Sequence, residues 1–329
     1  MKILHIGKKG NPERFSNPDS LIKDAEIVDL PKDLPAEEYL AKACDCEHII
    51  VDAITEVPAA LINALPFLKS IHSEGVAYNK IDLKAAKNNQ VIVCHSAAMN
   101  ASAVAEQTLL LMSGLLKNVI VNDLAVRNGE QITVKEAYMQ QSNLYELADC
   151  SVGLIGFGNI AQAVAKLLKA YGVSHIYYYK RNKLTDDMEK ALDVEYLPLP
   201  ELLERSDIVS LHLPVTDETE KIADSRFFSQ MKKGAYFVNT SRGELVDDAA
   251  LAEALRNGQL TMAGLDTMNQ EPVQKDNYLL TLPEISSKLI LSPHIGGITA
   301  SSFRRSYQMI WEDIDTVRHG EIPSRAVIF

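Results

Sequence analysis

Residues 151–172, SVGLIGFGNIAQAVAKLLKAYG, restrict the fold of this chain more than any other segment. The apolar run SVGLI leads through a G-x-G-x-x-A turn into apolar residues at helical spacing, which is the arrangement of a dinucleotide-binding Rossmann unit. The first glycine permits a tight turn, the second lets a pyrophosphate approach the backbone, and Ala161 lets the helix pack closely on the strand. Because free N–H groups and the helix dipole favour anions, the helix N-terminus is predicted to bind the cofactor phosphates. The predicted contacts are Gly156, Gly158, Asn159 and Ile160.

Alternating strand and helix patterns on both sides of this turn predict two α/β domains. In the first hundred residues, the apolar runs KILHI, EHIIVD and LKSIH are separated by helical stretches, which predicts a parallel sheet. After residue 151, the runs HIYYY, DIVSLHL, AYFVNT, TMAGLD and LILSPH predict a doubly wound sheet of Rossmann size. A helix from about Asn100 to Lys117 is apolar nearly all round in its second half and is therefore predicted to be buried. A helix from about Ala300 to His319 and a short tail are too few residues to fold alone, so we expect them to pack on the first domain.

Composition bears on the class of partner. The chain has 33 Lys and Arg against 44 Asp and Glu, a formal net charge of −11, which argues against a nucleic-acid partner. The 4 cysteines are not followed by His/Cys pairs at zinc spacing, so no metal site is expected and the thiols are expected to be reduced. We find no apolar run long enough for a signal peptide or a membrane span, and expect a cytoplasmic protein.

The strand that follows the predicted Rossmann helix ends in cations instead of the usual acid. A strand in this position normally ends in Asp or Glu, which binds the ribose hydroxyls of NAD. Here YYYKRNK places Lys180, Arg181 and Lys183 at that point. Cations would pair with a 2′-phosphate, and Arg181 could stack on the adenine, so the sequence favours NADP(H). The alternative is a solvated basic loop in a protein that uses NAD(H).

Three polar residues follow predicted strands and suit the chemistry of 2-keto acids. Arg242 lies in the turn after AYFVNT, Glu271 in the loop beyond Asp266, and His294 between LILSP and two glycines. A guanidinium can bind a carboxylate and polarise the adjacent carbonyl. A protonated His can supply the proton that a developing alkoxide needs, and a neighbouring Glu would favour the imidazolium and orient it. In the oxidative direction the same His would act as the base.

These segments resemble the D-isomer-specific 2-hydroxyacid dehydrogenases over nearly the whole chain. The matching segments are GVAYNKIDLKAAKNNQVIVCHSAAMNASAVAE, VGLIGFGNIAQAVAKLLKAYG, SDIVSLHLPVTDETE, MKKGAYFVNTSRGELVDDAALAEAL, AGLDTMNQEPV and SPHIGGIT. The basic YKRNK is similar to the NADP(H)-preferring glyoxylate and hydroxypyruvate reductases of that family.

The resemblance implies a fold, an assembly and a set of site residues. The fold would combine a flavodoxin-like substrate domain, built from residues 1–98 and 297–329, with an inserted Rossmann domain, residues 99–296. The assembly would be a homodimer joined partly through the helix near Asn100. The implied residues are Arg242, Glu271 and His294 for catalysis, the backbone N–H groups of Val76 and Ala77 with Arg242 and His294 for the substrate, Asp266 for the nicotinamide carboxamide, and Thr240 and Pro214 for the rest of the cofactor.

Two departures from the family pattern affect the expected substrate. The family's G-V-G-[VY]-D-N is here Gly75-Val76-Ala77-Tyr78-Asn79-Lys80, and Ala77 adds a methyl group where backbone would meet substrate. Glu74 precedes this loop and is expected to repel a phosphate, which weighs against a phosphorylated substrate. We therefore predict an NADPH-preferring reductase of glyoxylate, hydroxypyruvate or a modest-sized 2-keto acid. The alternatives are a phosphoglycerate dehydrogenase-like enzyme and a cofactor-sensing, corepressor-like binding protein.

Overall fold

The computed structural model describes residues 1–328, which separate into two units. One consists of Met1–Asn100 together with the residues from Ile298 onward, and the other is Ala101–Gly297. The domain limits expected from the family resemblance, 1–98 with 297–329 and 99–296, stay a prediction, and the last residue, Phe329, lies outside the described residues.

The first unit contains a six-stranded sheet. In chain order, the elements of the first hundred residues are β1 Lys2–Ile6, α1 Asn11–Phe15, β2 Glu26–Leu30, α2 Ala36–Ala43, β3 His48–Val51, α3 Ala59–Asn63, β4 Ser70–Ser73, α4 Leu83–Asn88 and β5 Ile92–His95.

The second unit contains a seven-stranded sheet. Its helices and strands are α5 Ala101–Leu116, α6 Val119–Arg127, α7 Gln131–Gln141, β6 Ser151–Ile155, α8 Asn159–Ala170, β7 His175–Tyr179, α9 Asp186–Leu192, β8 Glu195–Tyr196, α10 Leu199–Arg205, β9 Ile208–Leu211, α11 Ser225–Gln230, β10 Ala235–Asn239, α12 Asp248–Arg256, β11 Leu260–Leu265, α13 Pro283–Ser286 and β12 Leu289–Leu291. The chain then returns to the first unit with α14 Ala300–Arg318 and β13 Ala326–Ile328.

Strand order identifies both sheets. The first sheet runs β2-β1-β3-β4-β5-β13, which is the flavodoxin-like order with β13 added antiparallel to β5. The second runs β8-β7-β6-β9-β10-β11-β12, and all its neighbouring strands are parallel. Counted from β6, that is the Rossmann order 3-2-1-4-5-6 with one further strand. The predicted fold class, two α/β domains of flavodoxin-like and doubly wound Rossmann type, is confirmed.

Apolar residues pack on both faces of each sheet, as parallel sheets require. In the second unit, α8 buries Ala161, Val164, Ala165 and Leu168, a spacing of three and four residues that places one helical stripe on the sheet. The predicted buried helix near residues 100–117 is α5, which packs against α8, β10 and β11 and has ten buried residues. Because neighbouring elements cover most of its surface, apolar residues occur on most sides of this helix.

Within residues 1–328, no single helix is both long and apolar enough to cross a membrane. The pair α5 and α6 meets the length and composition limits together, but the two helices meet at an angle of 58°.

Candidate active site

All the predicted cofactor and catalytic side chains of the second unit follow carboxyl ends of its parallel strands. This edge is where open α/β sheets bind ligands, and the strand order reverses there between β6 and β9. The residues that follow β6, β7, β9, β10, β11 and β12 include, in that order, Gly156, Lys180, Pro214, Arg242, Asp266 and His294.

The glycine turn leaves space where a phosphate would lie. Gly156 has φ 85°, and a Cβ there would overlap the His212 carbonyl, so only glycine fits. Gly158 is exposed, and a Cβ on it would meet no atom within 4 Å. The α8 N-terminus, at Asn159 and Ile160, has no side-chain cap. Its first N–H groups are thus open for an anion, which fits the phosphates of a dinucleotide.

The basic segment after β7 divides into paired and unpaired cations. The Lys183 Nζ lies 3.2 Å from Glu189 Oε2 and 3.4 Å from Asp186 Oδ1, so its charge is already balanced. Lys180 is half-buried and Arg181 exposed, and neither forms an ion pair with an acid among the described residues. Lys180 and Arg181 therefore remain available to a ligand at the end of β7, whereas Lys183 does not.

The turn that carries Arg242 is fixed by the backbone around it. The buried Asn239 donates from Nδ2 to the Arg242 carbonyl (2.8 Å) and accepts from the Ser241 N–H (3.0 Å). A Cβ on Gly243 would overlap the Met268 carbonyl, so this turn lies directly against the loop that leads to Glu271. The Arg242 guanidinium is exposed, donates to the Ser241 carbonyl (2.7 Å) and forms no ion pair within residues 1–328.

Glu271 and His294 form a carboxylate–imidazole pair. The His294 Nδ1 lies 2.6 Å from Glu271 Oε2, and Glu271 Oε1 accepts from the Met268 N–H (3.3 Å). Because a carboxylate only accepts hydrogen bonds, Nδ1 carries a proton. The Nε2 atom has no partner among the described residues, and 43% of the His294 side chain is exposed. This arrangement leaves Nε2 to exchange a proton with a ligand.

Asp266 holds the His294 loop in shape. Its Oδ1 accepts from Ser292 Oγ (2.5 Å) and the Ile295 N–H (3.0 Å), and its Oδ2 accepts from the Gly296 N–H (2.9 Å). Its carbonyl accepts from the His294 N–H (2.8 Å). The structure thus gives Asp266 a clear positioning contact with the His294 loop, beside the cofactor contact expected from the resemblance.

The remaining two cofactor residues differ in exposure. Pro214 is exposed, and its carbonyl accepts from Thr219 Oγ1 (2.7 Å). Thr240 is buried, and its hydroxyl lies 2.9 Å from that of Thr108 on α5. The hydroxyl of Thr240 therefore joins β10 to α5.

In the first unit, the loop around Val76 and Ala77 has every carbonyl bonded. The Ser73 carbonyl accepts from Ser96 Oγ (3.1 Å), and the Glu74 carbonyl accepts from Ser306 Oγ (2.6 Å). The Gly75 carbonyl accepts from the Ser96 N–H (2.9 Å). The Val76 carbonyl accepts from His95 Nδ1 (2.7 Å), and the Ala77 carbonyl accepts from Ser73 Oγ (2.6 Å). In contrast, the N–H groups of Val76 and Ala77 have no partner in the described part of the chain. Two adjacent N–H groups thus lack a protein acceptor on a loop whose carbonyls are bonded, and backbone N–H groups of this kind can bind an anion.

Glu74 does not face a ligand, so the expected repulsion of a phosphate is wrong. Its side chain is 4% exposed and points into the first unit, where it accepts from His5, Asn11 and Tyr307. The ring of His5 lies between this carboxylate and that of Asp29, so the charge of Glu74 already faces an internal partner. The sequence could not indicate this burial, because His5, the partner of Glu74, lies 69 residues away in the chain.

One cluster in the first unit brings metal-ligating atoms together. Atoms of His72, Cys94 and Asp313 lie within 4.8 Å of one another and are buried. Arg325 Nε donates to both oxygens of Asp313, at 3.0 and 3.1 Å, so an internal cation already balances the carboxylate. The expectation that the protein has no metal site stays a prediction.

Two positioning residues, Asn239 and Ser292, were not among the predicted site residues. Each lies at or just past the end of a strand and bonds the backbone or carboxylate that holds a predicted side chain. A signal was present for Asn239, because an Asn side chain at the start of a turn often accepts from the backbone N–H two residues on, which is an Asx turn. Ser292 also accepts from Gln107 Nε2 (2.9 Å) on α5, a long-range contact that no local pattern contains.

Comparison with known sequences agrees with this geometry. A sequence model described as the NAD binding domain of D-isomer specific 2-hydroxyacid dehydrogenases matches residues 109–296. The chain is 33% identical over 311 residues to a glyoxylate reductase of Korarchaeum cryptofilum strain OPF8, covering 94% of this chain and 91% of that protein. It is 30% identical over 305 residues to a glyoxylate reductase of Pyrococcus furiosus, covering 92% and 89% of the two chains.

Solved structures share the fold. A D-2-hydroxyisocaproate dehydrogenase superimposes with a TM-score of 0.85 at 22% identity over 100% of both chains. The NAD complexed form of a D-isomer specific 2-hydroxyacid dehydrogenase from Lactobacillus delbrueckii ssp. bulgaricus gives 0.85 at 24% identity, covering 99% of this chain and 100% of that one. On the match of the family's NAD binding domain and the near-complete coverage of its relatives, the chain belongs to the D-isomer specific 2-hydroxyacid dehydrogenases, a family of oxidoreductases.

Proposed function

We propose that this protein is an NADPH-preferring reductase that converts a small 2-keto acid to a D-2-hydroxy acid. The observation that carries the proposal is the His294–Glu271 pair, with Nδ1 bound to the carboxylate and Nε2 free and partly exposed. The glyoxylate reductases named above support glyoxylate or a similar small keto acid as the substrate class.

The proposed catalytic residues have different roles in the same reaction. Arg242 binds the substrate carboxylate or carbonyl oxygen and stabilises the charge that develops on it. His294 gives the Nε2 proton to that oxygen, and takes it back when the hydroxy acid is oxidised. Glu271 holds the imidazole in the tautomer and orientation that this transfer needs. When bound, the nicotinamide supplies the hydride to the carbonyl carbon.

We propose the N–H groups of Val76 and Ala77 as the ligands of the substrate carboxylate. The support is that both are free while all five carbonyls from Ser73 to Ala77 are bonded. The loop is thus fixed with its donors unused. We expect the methyl group of Ala77 to narrow the space beside these donors and so to favour small keto acids.

We propose that the cofactor phosphates bind at Gly156, Gly158, Asn159 and Ile160. The rest of the cofactor would lie along Pro214, Thr240 and Asp266. Preference for NADPH rests on Lys180 and Arg181, two unpaired cations where an NAD enzyme normally carries an acid. NAD(H) is the alternative cofactor.

The decisive experiment measures oxidation of NADPH and of NADH against about a dozen 2-keto acids, compared as kcat/KM. We expect NADPH to have the lower KM at similar kcat, with activity on glyoxylate or hydroxypyruvate. An NADH KM equal to or below that for NADPH would remove the cofactor preference. Absence of turnover on the whole panel would instead favour a corepressor-like binding protein.

Two charge-neutralising variants sharpen the cofactor test. Arg181→Gln removes an unpaired cation and should raise the KM for NADPH about tenfold while leaving that for NADH unchanged, the scale of a charged hydrogen bond to phosphate. Lys183→Gln is the matched control, because Lys183 already pairs with Glu189 and Asp186, and should change neither KM by more than about twofold.

A phosphorylated keto acid belongs on the panel, because Glu74 is buried and so does not argue against a phosphorylated substrate.

We also propose that the protein is a homodimer and is located in the cytoplasm. Exposed apolar side chains on α6 and α7 support association of two copies, and light scattering gives the mass in solution. They are Val119, Ile120, Leu124, Val126, Ile132 and Met139.

A further inference from the structure

The first unit contains a buried, charged triad directly before the Val76–Ala77 loop. The His5 side chain on β1 is fully buried, with Nδ1 2.6 Å from Asp29 Oδ1 and Nε2 3.1 Å from Glu74 Oε1. Because a carboxylate only accepts, two such partners require a proton on both ring nitrogens, which makes His5 an imidazolium. Burial lowers the pKa of His5, but the hydrogen bonds that it donates to Glu74 and Asp29 outweigh this effect and raise the pKa above its usual range.

Every other group that contacts the two carboxylates also donates. The Gly10 N–H donates to Asp29 Oδ2 (2.7 Å), Asn11 Nδ2 donates to Glu74 Oε2 (3.3 Å), and the hydroxyl of Tyr307 donates to Glu74 Oε1. Donors from three elements, β1, α1 with the residue before it, and α14, thus converge on these two acids. Such a network holds only while its central cation remains, since an unpaired buried carboxylate is costly.

Glu74 connects this network to the loop that we propose binds the substrate carboxylate. Its carbonyl accepts from Ser306 Oγ (2.6 Å), and the next peptide is Gly75, where an added Cβ would lie 2.6 Å from the Cβ of Ala53. The loop therefore has little room to shift at Gly75, and its position depends on where Glu74 is held. The free N–H groups follow immediately, at Val76 and Ala77.

We infer that His5 is a positioning residue for substrate binding: as an imidazolium between Asp29 and Glu74, it anchors the loop that presents the Val76 and Ala77 N–H groups to the carboxylate of the 2-keto acid. The inference rests on the proposed function. It assigns His5 no contact with the substrate and no part in proton transfer, so its loss should affect binding and leave the chemical step intact.

The test compares His5→Gln with His48→Gln. His48 is equally buried, on the neighbouring strand β3, and bonds Ser70 (2.7 Å) without touching the loop, so it controls for the general cost of replacing a core histidine. His5→Gln should raise the KM for the best keto acid about tenfold with kcat within about twofold, since the charge-assisted contact that holds Glu74 is lost. His48→Gln should leave both constants unchanged.

A second substitution should rescue the first. In His5→Gln/Glu74→Gln the buried carboxylate is removed together with its cation, so KM should return to within about threefold of the wild-type value. If His5→Gln does not fold, Tyr307→Phe removes one donor to Glu74 and should raise KM about threefold at unchanged kcat. An unchanged KM in the variant that folds, or a fall in kcat as large as the rise in KM, overturns the inference.

Amide hydrogen exchange separates this inference from the proposed function. Amides of residues 73–78 should exchange faster in His5→Gln than in wild type, with no change in His48→Gln, because a loosened loop opens more often. If the wild-type protein reduces no 2-keto acid, the proposed function fails and exchange alone decides the positioning role. Equal exchange in His5→Gln and wild type contradicts that role whether or not turnover is found.

Discussion

The backbone of His294 has φ 54°, in the left-handed region that residues other than glycine seldom adopt. Such a conformation costs about 1–3 kcal/mol and persists where the surroundings enforce it. Here the His294 N–H donates to the Asp266 carbonyl (2.8 Å) and the Ser292 carbonyl (3.0 Å), while the Asp266 carboxylate holds the next two N–H groups. The unusual backbone directs the imidazole toward Glu271, so it belongs to the construction of the site.

Substitution of His294 by Asn tests its role without disturbing that backbone. Asn tolerates the left-handed region better than Ala, so His294→Asn should keep the thermal stability of the wild type. It cannot deliver a proton at neutral pH, and kcat should fall about a hundredfold or more. Steady-state kinetics with the best keto acid gives the comparison, and wild-type turnover by this variant would refute the proton-transfer role.

Glu271→Gln keeps an acceptor near His294 Nδ1 and removes the charge. We expect a fall in kcat of about tenfold, because the tautomer and orientation of the imidazole are less well fixed. Glu244→Gln is the matched control, an exposed acid in the turn after Arg242. Equal kcat values for the two variants would contradict the role of Glu271.

The strand–turn–helix of β6 and α8 was predicted from sequence, because each of its small residues answers a local requirement. Gly156 is needed by a positive φ and by the nearby His212 carbonyl, whereas nothing in the protein itself requires glycine at position 158. The same geometry therefore separates a residue kept for folding from one kept for a ligand.

This difference predicts opposite results for two alanine variants. Gly158→Ala should leave the unfolding temperature within about 1–2 °C of wild type and weaken NADPH binding by about tenfold or more, because the new methyl group occupies the space of a phosphate. Gly156→Ala should instead destabilise the fold, through overlap with the His212 carbonyl. Differential scanning fluorimetry and titration of NADPH fluorescence distinguish them, and tight NADPH binding by Gly158→Ala would rule out the proposed phosphate position.

Other elements could not be predicted from local pattern. Helix α7, Gln131–Gln141, has no buried residue, so it lacks the apolar stripe by which a helix is recognised. Strand β13 has three residues and exists through antiparallel pairing with β5, more than 200 positions earlier in the chain. The fold class, the glycine turn and the strand-end positions of Arg242, Asp266 and His294 follow from periodicity, but the burial of Glu74 depends on the distant His5.

Considered as a whole, the protein buries histidines in opposite protonation states. Burial lowers the pKa of His48 to about 4. Burial, with a smaller effect of the nearby Arg325, lowers the pKa of His72 to about 3. Burial likewise lowers the pKa of His212 to about 3. His5 is the exception, because two acids hold its proton and its pKa is raised. Three groups therefore resist protonation in the folded state while one requires it.

These shifts predict that mild acid destabilises the fold. Between the unfolded value of about 6.5 and the lowered folded values, the unfolded chain binds protons that His48, His72 and His212 refuse, so stability falls as pH decreases. His5 acts in the other direction, since its contribution is present below about 6.5 and is lost as pH rises through its raised pKa. Each of the three groups costs about 1 kcal/mol over that interval, and His5 and Asp248, whose pKa burial raises to about 6, offset part of this cost, so the free energy of unfolding should drop by about 2 kcal/mol between pH 6.5 and 5.5.

Urea unfolding at the two pH values measures this drop. His48→Gln removes one of the three groups and should reduce the pH dependence, although the variant is less stable at neutral pH. Equal unfolding free energies for the wild-type protein at pH 6.5 and 5.5 would show that these histidines are not neutral in the folded state.

The helix α14 has a consequence for how the chain folds as it is made. Its Tyr307, Ile310 and Ile314 cover Ile3 and Ile50, which are synthesised well before it. Some 200 residues separate β5 from α14, so at about 5–20 residues per second the early sheet waits roughly 10–40 s for its cover. During that interval the apolar face of the early sheet would lie open to solvent, so slow translation should lengthen the time in which nascent chains can aggregate.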